Sequence, residues 1–367
     1  MAKDIYPLKL RIKGLLIDFC HVLGIDSIMA SLCIGIFKQE MDNAFSAYLD
    51  EEEYRNNHIR KQIKDDMIDC YKKYLISPLE YFLYGFKDNK NEDYRASFLS
   101  DKYRTRILLK NGGRKFFYEL SDKYYFYQKT AKYFKRNCIL VNSASDYDAF
   151  IVLAKNVKDI FVKPLSSTFG DGCCVYDVSD ENKIEEAFND IIKKGGNFLV
   201  ENRIIQSQEM NSWNESSCNT VRLPCFYDGK NIKVLQPFLR TGRKGDVVDN
   251  AGHGGMLALI DENTGILLTD AVDKYGNSYK KHPDSGIMYK GWRIPRWNEL
   301  IETAENLFRE CLPEHKYIGF DFALTDNGWV LIEGNWGQFV GQYRWYGCKR
   351  SVFNIHGSEK IAETMKL

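Results

Sequence analysis

The sequence lacks several features that would place a protein in a class at first sight. Its 10 cysteines include no C-x-x-C pair and follow no regular spacing, which favours reduced, structural thiols over a disulfide framework. The formal net charge is only +1, from 51 basic and 50 acidic residues, so no global field indicates nucleic acid or an anionic membrane as partner. The 6 histidines are widely spread, which argues against a histidine-rich metal site.

Long apolar runs are also missing. The best candidate, residues 28–37, covers ten positions, whereas a helix that spans a bilayer needs about 20. Asp18, His21 and Asp26 interrupt any extension of this run upstream. The first residues show neither the basic nor the apolar region of a secretory signal peptide. We therefore expect a cytoplasmic protein in which residues 28–37 form a buried helix.

The pattern of the chain changes near residue 120. With 367 residues the chain has room for about two domains. Before residue 105, apolar positions at three- and four-residue spacing predict helices at 9–23 and 44–74. Beyond it, helices and strands alternate, which predicts an α+β fold. The predicted helices are 121–134, 146–154, 182–193 and 295–311; the predicted strands are 137–141, 159–164, 173–178, 197–204, 220–229 and 231–242.

The segment IGFDFALTDNGWVLIEGNWG, residues 318–337, keeps polar side chains in apolar strands. Asp321 lies on the first strand, and Glu333 and Asn335 lie on the second. Apolar residues at both parities predict a sheet covered on both faces. Two acids that face each other there would repel, and a pKa would rise, unless a positive charge joined them. The sequence therefore makes a divalent metal the candidate ligand.

That interpretation depends on the turn between the two strands. A three-residue loop, Asp326-Asn327-Gly328 with a left-handed glycine, pairs Thr325 with Trp329 and sets Asp321 opposite Glu333. A two-residue Asn-Gly loop would place the two acids on opposite faces of the sheet.

A second signal is FVKPLSSTFGDGCCVYDV, residues 161–178. Small residues after Lys163 let backbone N–H groups approach an anion, and the lysine adds a point charge. The segment is neither a Walker A motif nor a G-x-G-x-x-G loop. A third signal is LVENRIIQSQEM, residues 199–210, where an acid such as Glu209 suits ribose hydroxyls. Taken alone, each also fits a plain hairpin or a domain hinge.

A fourth signal is a set of charged residues in a glycine-rich context. Arg222 and Arg240 lie on predicted strands, where an arginine that faces a cleft suits a carboxylate. The loop at 242–256 contains Asp249-Asn250 and His253, and glycine-rich loops often contact substrates. His253 is either a base or a simple loop residue. Of Arg243 and Lys244, we expect one to be merely solvated.

In their order along the chain, these motifs resemble the ATP-grasp superfamily over about residues 120–345. More narrowly, NTVRL, VVDNAGHGG and PLEYFLYGF look like sugar-transfer-associated ATP-grasp proteins, which are met in polysaccharide biosynthesis. The resemblance implies two α+β subdomains that clasp ATP, with a mostly helical N-terminal region. The domains it implies are a helical region 1–105, a linker and first part of the core 106–158, a small subdomain 159–204, a large subdomain 205–350 and a tail 351–367.

The resemblance also implies roles for the residues that match its motifs. The nucleotide-binding set is Lys123, Lys163, Ser166, Ser167, Thr168, Gly170, Gly172, Glu201, Asn202, Ile204 and Glu209, with Gln208 as the alternative to Glu209. The metal set, for two Mg²⁺ with Mn²⁺ as a substitute, is Asp321, Glu333 and Asn335. The catalytic set is Arg222, Arg240, Asp249 and Asn250.

One departure from the family concerns the acceptor site. Relatives that join amino acids carry an arginine two residues before the metal aspartate, where this chain has Gly319. Arg222 or Arg240 is expected to take over that contact. The implied activity is carboxylate–amine ligation through an acylphosphate, on small-molecule carboxylate and amine substrates that include sugar-linked ones. A homodimer is compatible with this family. The alternatives are a kinase on the same fold and a non-catalytic accessory of polysaccharide assembly.

Overall fold

The computed structural model describes residues 34–96, 98, 100, 113–165, 170–250, 254–273 and 277–336. The described residues divide into two compact units, one up to Arg114 and one from Lys115 onward. Several predictions lie outside the described residues: the helix at 9–23, most of the run at 28–37, Ser166, Ser167, Thr168 and His253.

The first unit is helical, as predicted. Its helices are α1 (Ile34–Tyr48), α2 (Glu51–Arg55), α3 (Asn57–Tyr74), α4 (Pro78–Leu83) and α5 (Glu92–Ala96). The single helix predicted for 44–74 is divided at Asp50 and Asn56. Each of these side chains accepts hydrogen bonds from backbone N–H groups of the helix that follows. A short polar side chain satisfies the unpaired N–H groups of a first turn, so these two residues start new helices.

The remaining helices and all twelve strands of the described residues form an α+β fold, as predicted. The helices are α6 (Gly113–Ser121), α7 (Lys123–Phe134), α8 (Tyr147–Ala154), α9 (Glu181–Lys194), α10 (Gln208–Asn211) and α11 (Trp297–Cys311). The strands are β1 (Cys138–Val141), β2 (Asp159–Pro164), β3 (Cys174–Asp177), β4 (Phe198–Asn202), β5 (Thr220–Tyr227), β6 (Ile232–Val234), β7 (Phe238–Thr241), β8 (Met256–Leu259), β9 (Ala271–Val272), β10 (Ser278–Tyr279), β11 (Tyr317–Thr325) and β12 (Gly328–Asn335).

A four-stranded antiparallel sheet, which we call the small sheet, has the order β1-β4-β2-β3. Helices α8 and α9 cover it, and their buried Phe150, Phe188 and Ile191 pack with Val162 and Val200 from its central strands. The strand–loop–strand–helix–strand pattern read from residues 159–204 forms three of its strands, and β1 adds the fourth at the edge.

The large sheet contains the other eight strands, in the order β10-β9-β8-β7-β5-β11-β12 with β6 beside β5. Every residue of β11 except Thr325 is buried, which confirms that the sheet is covered on both faces. Among the described strands, β12 lies at one edge of this sheet. Within the described residues its outer edge therefore offers backbone groups to helices and side chains.

The turn between β11 and β12 differs from the predicted one. Thr325 pairs with Gly328, so only Asp326-Asn327 lies between the strands and the three-residue loop is wrong. Gly328 has φ +106°, which only glycine adopts without strain. A regular ladder from this turn would set Asp321 opposite Ile332.

A β-bulge restores the predicted pairing. Phe322 pairs with Leu331, but the next residue, Asp321, pairs with Glu333, and Ile332 is left as the extra residue. Because a bulge shifts the alternation of one strand by one position, Glu333 moves to the face that Asp321 occupies. The prediction that the two acids face each other is therefore confirmed, through a bulge and not through the loop.

Helix α7 packs tightly against β12 at a glycine. A Cβ on Gly334 would lie 2.6 Å from Cζ of Phe126 and 3.3 Å from Cγ2 of Ile318. Phe126 lies one helical turn after Lys123, the first residue of α7. The contact between Gly334 and Phe126 therefore brings the start of α7 close to the strand that carries Glu333 and Asn335.

We expect Gly334→Ala to destabilise the protein by about 1–3 kcal/mol, because its methyl group overpacks the buried Phe126 ring. The free energy of unfolding in urea measures this cost. In a Phe126→Leu background the same change should cost clearly less, since the aromatic ring is gone. Equal costs in both backgrounds would contradict this account of the contact.

Candidate active site

Three strands align charged residues across the large sheet. Arg222 on β5 pairs with Asp321 on β11, which pairs with Glu333 on β12. The Arg222 guanidinium donates to both Asp321 oxygens, with 2.9 Å between Nη2 and Oδ2. Arg240 on β7 adds a contact of 2.8 Å from Nη2 to Asp321 Oδ2. All three groups of this ion-pair network, Arg222, Arg240 and Asp321, are nearly or fully buried.

A second acid lies on the far side of Arg240. The Nε atom of Arg240 donates to Thr220 Oγ1 at 2.8 Å and lies 3.6 Å from Oδ2 of this acid, Asp249. Asp249 also accepts hydrogen bonds from the Thr220 hydroxyl and from its backbone N–H at 3.1 Å. A Cβ at Gly255 would lie 2.1 Å from Asp249 O, so the loop needs glycine there. Asn250 closes this loop by accepting the Gly255 N–H at 3.0 Å.

The pKa values of the two paired acids shift in opposite directions. Burial raises the pKa of Asp321, but the charges of Arg222 and Arg240 outweigh burial and hold it at about 2. Burial also raises the pKa of Glu333, and the neighbouring Asp321 raises it further against the weaker effect of Arg222. The pair therefore holds a firm negative charge on Asp321 and resists a second one on Glu333.

This arrangement fits a divalent cation. A cation at Glu333 would favour its ionised form and relieve the repulsion from Asp321. Asn335 lies on the same strand, and its amide donates to Glu333 Oε1 at 3.1 Å. The arginines use three of the roughly four lone-pair sites on Asp321, and the Glu333 side chain also hydrogen-bonds this carboxylate.

The ligand count of the candidate metal site is low. Within the described part of the chain, no cluster of three or more His, Cys, Asp or Glu side chains is arranged to hold a metal ion. Mg²⁺ usually takes one or two carboxylates and fills its octahedron with phosphate oxygens and water. The set of Asp321, Glu333 and Asn335 therefore suits a Mg²⁺ that arrives with a nucleotide better than a resident structural metal.

The small sheet carries a second buried cluster, around Glu201 on β4. Lys163 Nζ lies 2.8 Å from Glu201 Oε1. Arg136 donates to Oε2 through Nη2 at 2.7 Å and through Nε at 3.0 Å. Burial raises the pKa of Glu201, but Arg136 and Lys163 together lower it to about 2. We call Arg136, Glu201 and Lys163 the Glu201 triad.

Lys123 lies between the two clusters. It begins α7, and its Nζ donates to the backbone oxygens of Pro164 and Leu165 at 3.0 and 3.5 Å. Burial lowers its pKa, Glu333 raises it and Lys163 lowers it again. The residues predicted to bind phosphates and those predicted to bind the metal therefore act on one another electrostatically.

The glycines of the predicted phosphate loop approach both clusters. Gly170 and Gly172 have φ of +77° and +74°, where glycine is free of strain. A Cβ on Gly172 would lie 3.0 Å from Cγ of Pro164, and one on Gly170 would lie 3.2 Å from Cγ2 of Val248. The described end of the loop thus runs beside the residue after Lys163 and the residue before Asp249.

The predicted hinge residues are in less specific surroundings. The Asn202 side chain accepts from Asn137 N at 3.2 Å and donates to Leu153 O at 3.4 Å, so it links the end of β4 to the residue before β1 and to α8. Ile204 is half-buried. Gln208 and Glu209 are both exposed in the first turn of α10, and the choice between them stays open.

Sequence reasoning missed Arg136 and did not predict the partner of Arg222 and Arg240. Arg136 lies in no motif; a buried acid such as Glu201 needs enough positive charge nearby, but its second cation comes from 65 residues away. Arg222 and Arg240, predicted to bind a substrate carboxylate, both contact Asp321, and their role toward a substrate stays a prediction. Lys244 is exposed and Arg243 pairs with Asp284 at 2.7 Å.

Comparison with known proteins identifies the family of the chain. The profile of the family described as "Sugar-transfer associated ATP-grasp" matches residues 86–343, which is more than half of the chain. The chain therefore belongs to the sugar-transfer-associated ATP-grasp family, and its fold is the ATP-grasp fold. Both parts of the resemblance read from the sequence are confirmed. A search of the curated proteins found no match.

Similar solved structures are distant. D-alanyl-alanine synthetase A from Vibrio cholerae O1 biovar eltor str. N16961 is 15% identical over 68% of this chain and 65% of that one, with a TM-score of 0.39. D-alanine–D-alanine ligase from Bacillus anthracis is 11% identical over 59% and 57%, with a TM-score of 0.35. The ATP-grasp ligase PsnB, complexed with a phosphomimetic variant of its minimal precursor, Mg and ADP, is 11% identical over 66% and 60%, at 0.37. The chain spans less than two thirds of each of these chains.

The search for membrane helices gave a negative result. Among the residues that the structure describes, no helix has the length and apolar character needed to cross a bilayer.

The pKa of Glu201 generates a prediction about acid stability. Its folded value, about 2, lies below the ordinary 4.5, so its stabilisation is complete above about pH 5 and disappears as the pH falls toward 2. The difference in unfolding free energy between wild type and Glu201→Gln should therefore shrink over this range, by about 3 kcal/mol.

Urea unfolding at several pH values measures that difference. The exposed Glu302 supplies a matched control, since Glu302→Gln removes a carboxylate outside both clusters. A difference between wild type and Glu201→Gln that stays constant from about pH 6 to pH 2.5 would show that Glu201 is not held ionised in the folded protein.

Proposed function

We propose that this protein is an ATP-dependent carboxylate–amine ligase that acts through an acylphosphate. The proposal rests on the charges of two lysines, Lys123 and Lys163, which both act on Glu333. Glu333 in turn faces a second acid, Asp321. Phosphoryl transfer needs positively charged groups around the transferring phosphoryl group, and acids that hold Mg²⁺. Membership of the ATP-grasp family supports the same chemistry.

In this proposal the nucleotide lies between the small and large subdomains, with boundaries near 159–204 and 205–350. The glycine-rich loop that ends at Gly170 and Gly172 covers its phosphates, and the hinge after β4 contacts its base. Lys123 and Lys163 bind phosphate oxygens. Asp321, Glu333 and Asn335 would hold Mg²⁺, which supplies charge neutralisation at the β- and γ-phosphates when bound.

The chain's own residues then serve two steps. A substrate carboxylate oxygen attacks the γ-phosphorus; the bond to the β–γ bridging oxygen breaks, and ADP leaves from the lysine-lined site. An amine next attacks the acyl carbon, loses a proton and expels inorganic phosphate. Asp249 is the proton acceptor we favour, because its pKa is raised. Burial is the main cause of this rise, and the charge of Arg240 opposes it. The family description makes a sugar-linked carboxylate the acceptor we favour.

A second candidate function is a kinase on the same fold. It is favoured by one observation: Arg222 and Arg240, the arginines expected to bind the carboxylate, are both occupied by Asp321. A kinase that phosphorylates a hydroxyl group needs no such guanidinium. It would release ADP without forming an acylphosphate.

We expect Mg-ATP hydrolysis to ADP and phosphate to require both an amine pool and a hexuronic acid pool. Glu333→Gln should lower this rate by at least about a hundredfold, since it removes an expected metal ligand. Coupled ADP and phosphate assays measure both products. Glu302→Gln, the same change on an exposed surface, should keep the wild-type rate.

Hydroxylamine separates the two candidate functions. A ligase offered the acid pool alone should form a hydroxamate, because hydroxylamine traps the acylphosphate in place of the amine. ADP release with no hydroxamate would favour the kinase. No product from any pool, together with no thermal stabilisation by Mg-ATP, would overturn the nucleotide site itself.

A further inference from the structure

Arg136 connects the two sheets of the second unit. It follows α7 and precedes β1, and its side chain is 7% exposed. Nη1 donates to Leu331 O on β12 at 2.7 Å and to Phe134 O at 3.1 Å. Nε and Nη2 donate to Glu201 on β4. One guanidinium therefore joins the strand of Glu333 to the strand of the Glu201 triad.

The attachment point on β12 lies beside the bulge. Leu331 is the last paired residue before the extra residue Ile332, and Glu333 follows. As β12 is an edge strand, the Leu331 carbonyl is satisfied by a side chain where a further strand would otherwise supply an N–H. The planar guanidinium, 4.6 Å from the Phe134 ring centroid, is also held in place by stacking.

The charge balance of the Glu201 triad depends on the same arginine. Glu201 receives Lys163 on one oxygen and Arg136 on the other. Two cations and one carboxylate leave one positive charge. Without Arg136, Lys163 and Glu201 would neutralise each other, and a buried pair of equal and opposite charges attracts an anion only weakly.

We propose that Arg136 is a positioning residue that keeps the charge of Lys163 available to an anionic ligand, by occupying Glu201, and that fixes this lysine relative to the strand of Glu333. The inference rests on the proposed function in one respect: the anion is taken to be the polyphosphate of ATP. Nothing in the ligand-binding motifs of the sequence includes Arg136.

The test compares a charged and an uncharged ligand of the same site. Isothermal titration of the full chain gives dissociation constants for Mg-ATP and for adenosine, and their ratio reports the phosphate contribution alone. Arg136→Gln should reduce the preference for Mg-ATP on the order of tenfold, because one unit of charge near the phosphates is lost. Arg136→Lys, which keeps the charge, should retain most of the preference.

A compensating variant makes the test strict. Glu201→Gln together with Arg136→Gln again leaves one positive charge, that of Lys163, so the preference for Mg-ATP should return to within about threefold of wild type. A purely structural role for Arg136 predicts the opposite: affinity for both ligands falls together, the ratio is unchanged, and the second substitution adds further damage. That result would overturn the inference.

A surface arginine serves as the control. Arg309 pairs with Glu305 on α11 and is largely exposed, so Arg309→Gln should leave both constants unchanged. Thermal unfolding checks that each variant is folded. Wild-type protein that binds neither ligand would overturn the proposed function and this inference together. Wild-type binding with an unchanged ratio in Arg136→Gln would overturn the inference alone.

Discussion

The bulge at Ile332 is the constraint on which the candidate site depends. The two-residue turn would, in a regular ladder, direct Glu333 away from Asp321. The extra residue reverses the alternation, and both acids then share one face, next to Arg222 on the adjacent strand. Without this irregularity the large sheet could keep its core, but it would have a single acid at the position where two are needed.

Close packing also brings other residues of the candidate site near this face. Gly334 allows Phe126 to approach β12, and this contact places the start of α7, with Lys123, near the acids. Lys123 in turn donates to the backbone oxygens of Pro164 and Leu165, where the predicted phosphate loop begins. A glycine, an aromatic ring and a lysine therefore link the large sheet to the end of β2 in the small sheet.

Sequence reasoning predicted much of this arrangement. The facing acids, the buried strands and the lysine before the glycine-rich loop each leave a local pattern, because alternation and turn residues are local properties. The bulge left no such pattern, and the turn prediction failed while the pairing it supported was correct. Hydrophobic periodicity is the same whether a ladder is regular or shifted by one residue at a buried position, where both faces are apolar.

Partners that are distant in sequence were harder to predict. Arg222 was recognised as important, but its partner Asp321 is 99 positions away, and only the strand order makes them neighbours. Arg136 lies in none of the sequence motifs. It donates to the Leu331 carbonyl on β12 and pairs with Glu201, and neither partner is near it in sequence. An ionic contact leaves a signal in the sequence only where its two members share an element or a turn.

Both clusters follow the same electrostatic rule. Asp321 lies between Arg222 and Arg240, and Glu201 lies between Arg136 and Lys163. Each acid is thereby kept ionised, and each group of three retains one positive charge.

The neighbouring acids Glu333 and Asp249 have raised pKa values, because burial disfavours their ionised forms. Ionisation of Glu333 and Asp249 is thus less favourable than that of a solvated acid, while the two clusters keep their positive charge. Net positive charge would favour an anionic ligand, and a cation beside Glu333 would favour the ionised form of that acid. Binding of nucleotide and binding of metal are therefore expected to reinforce each other, since each supplies the charge that the other requires.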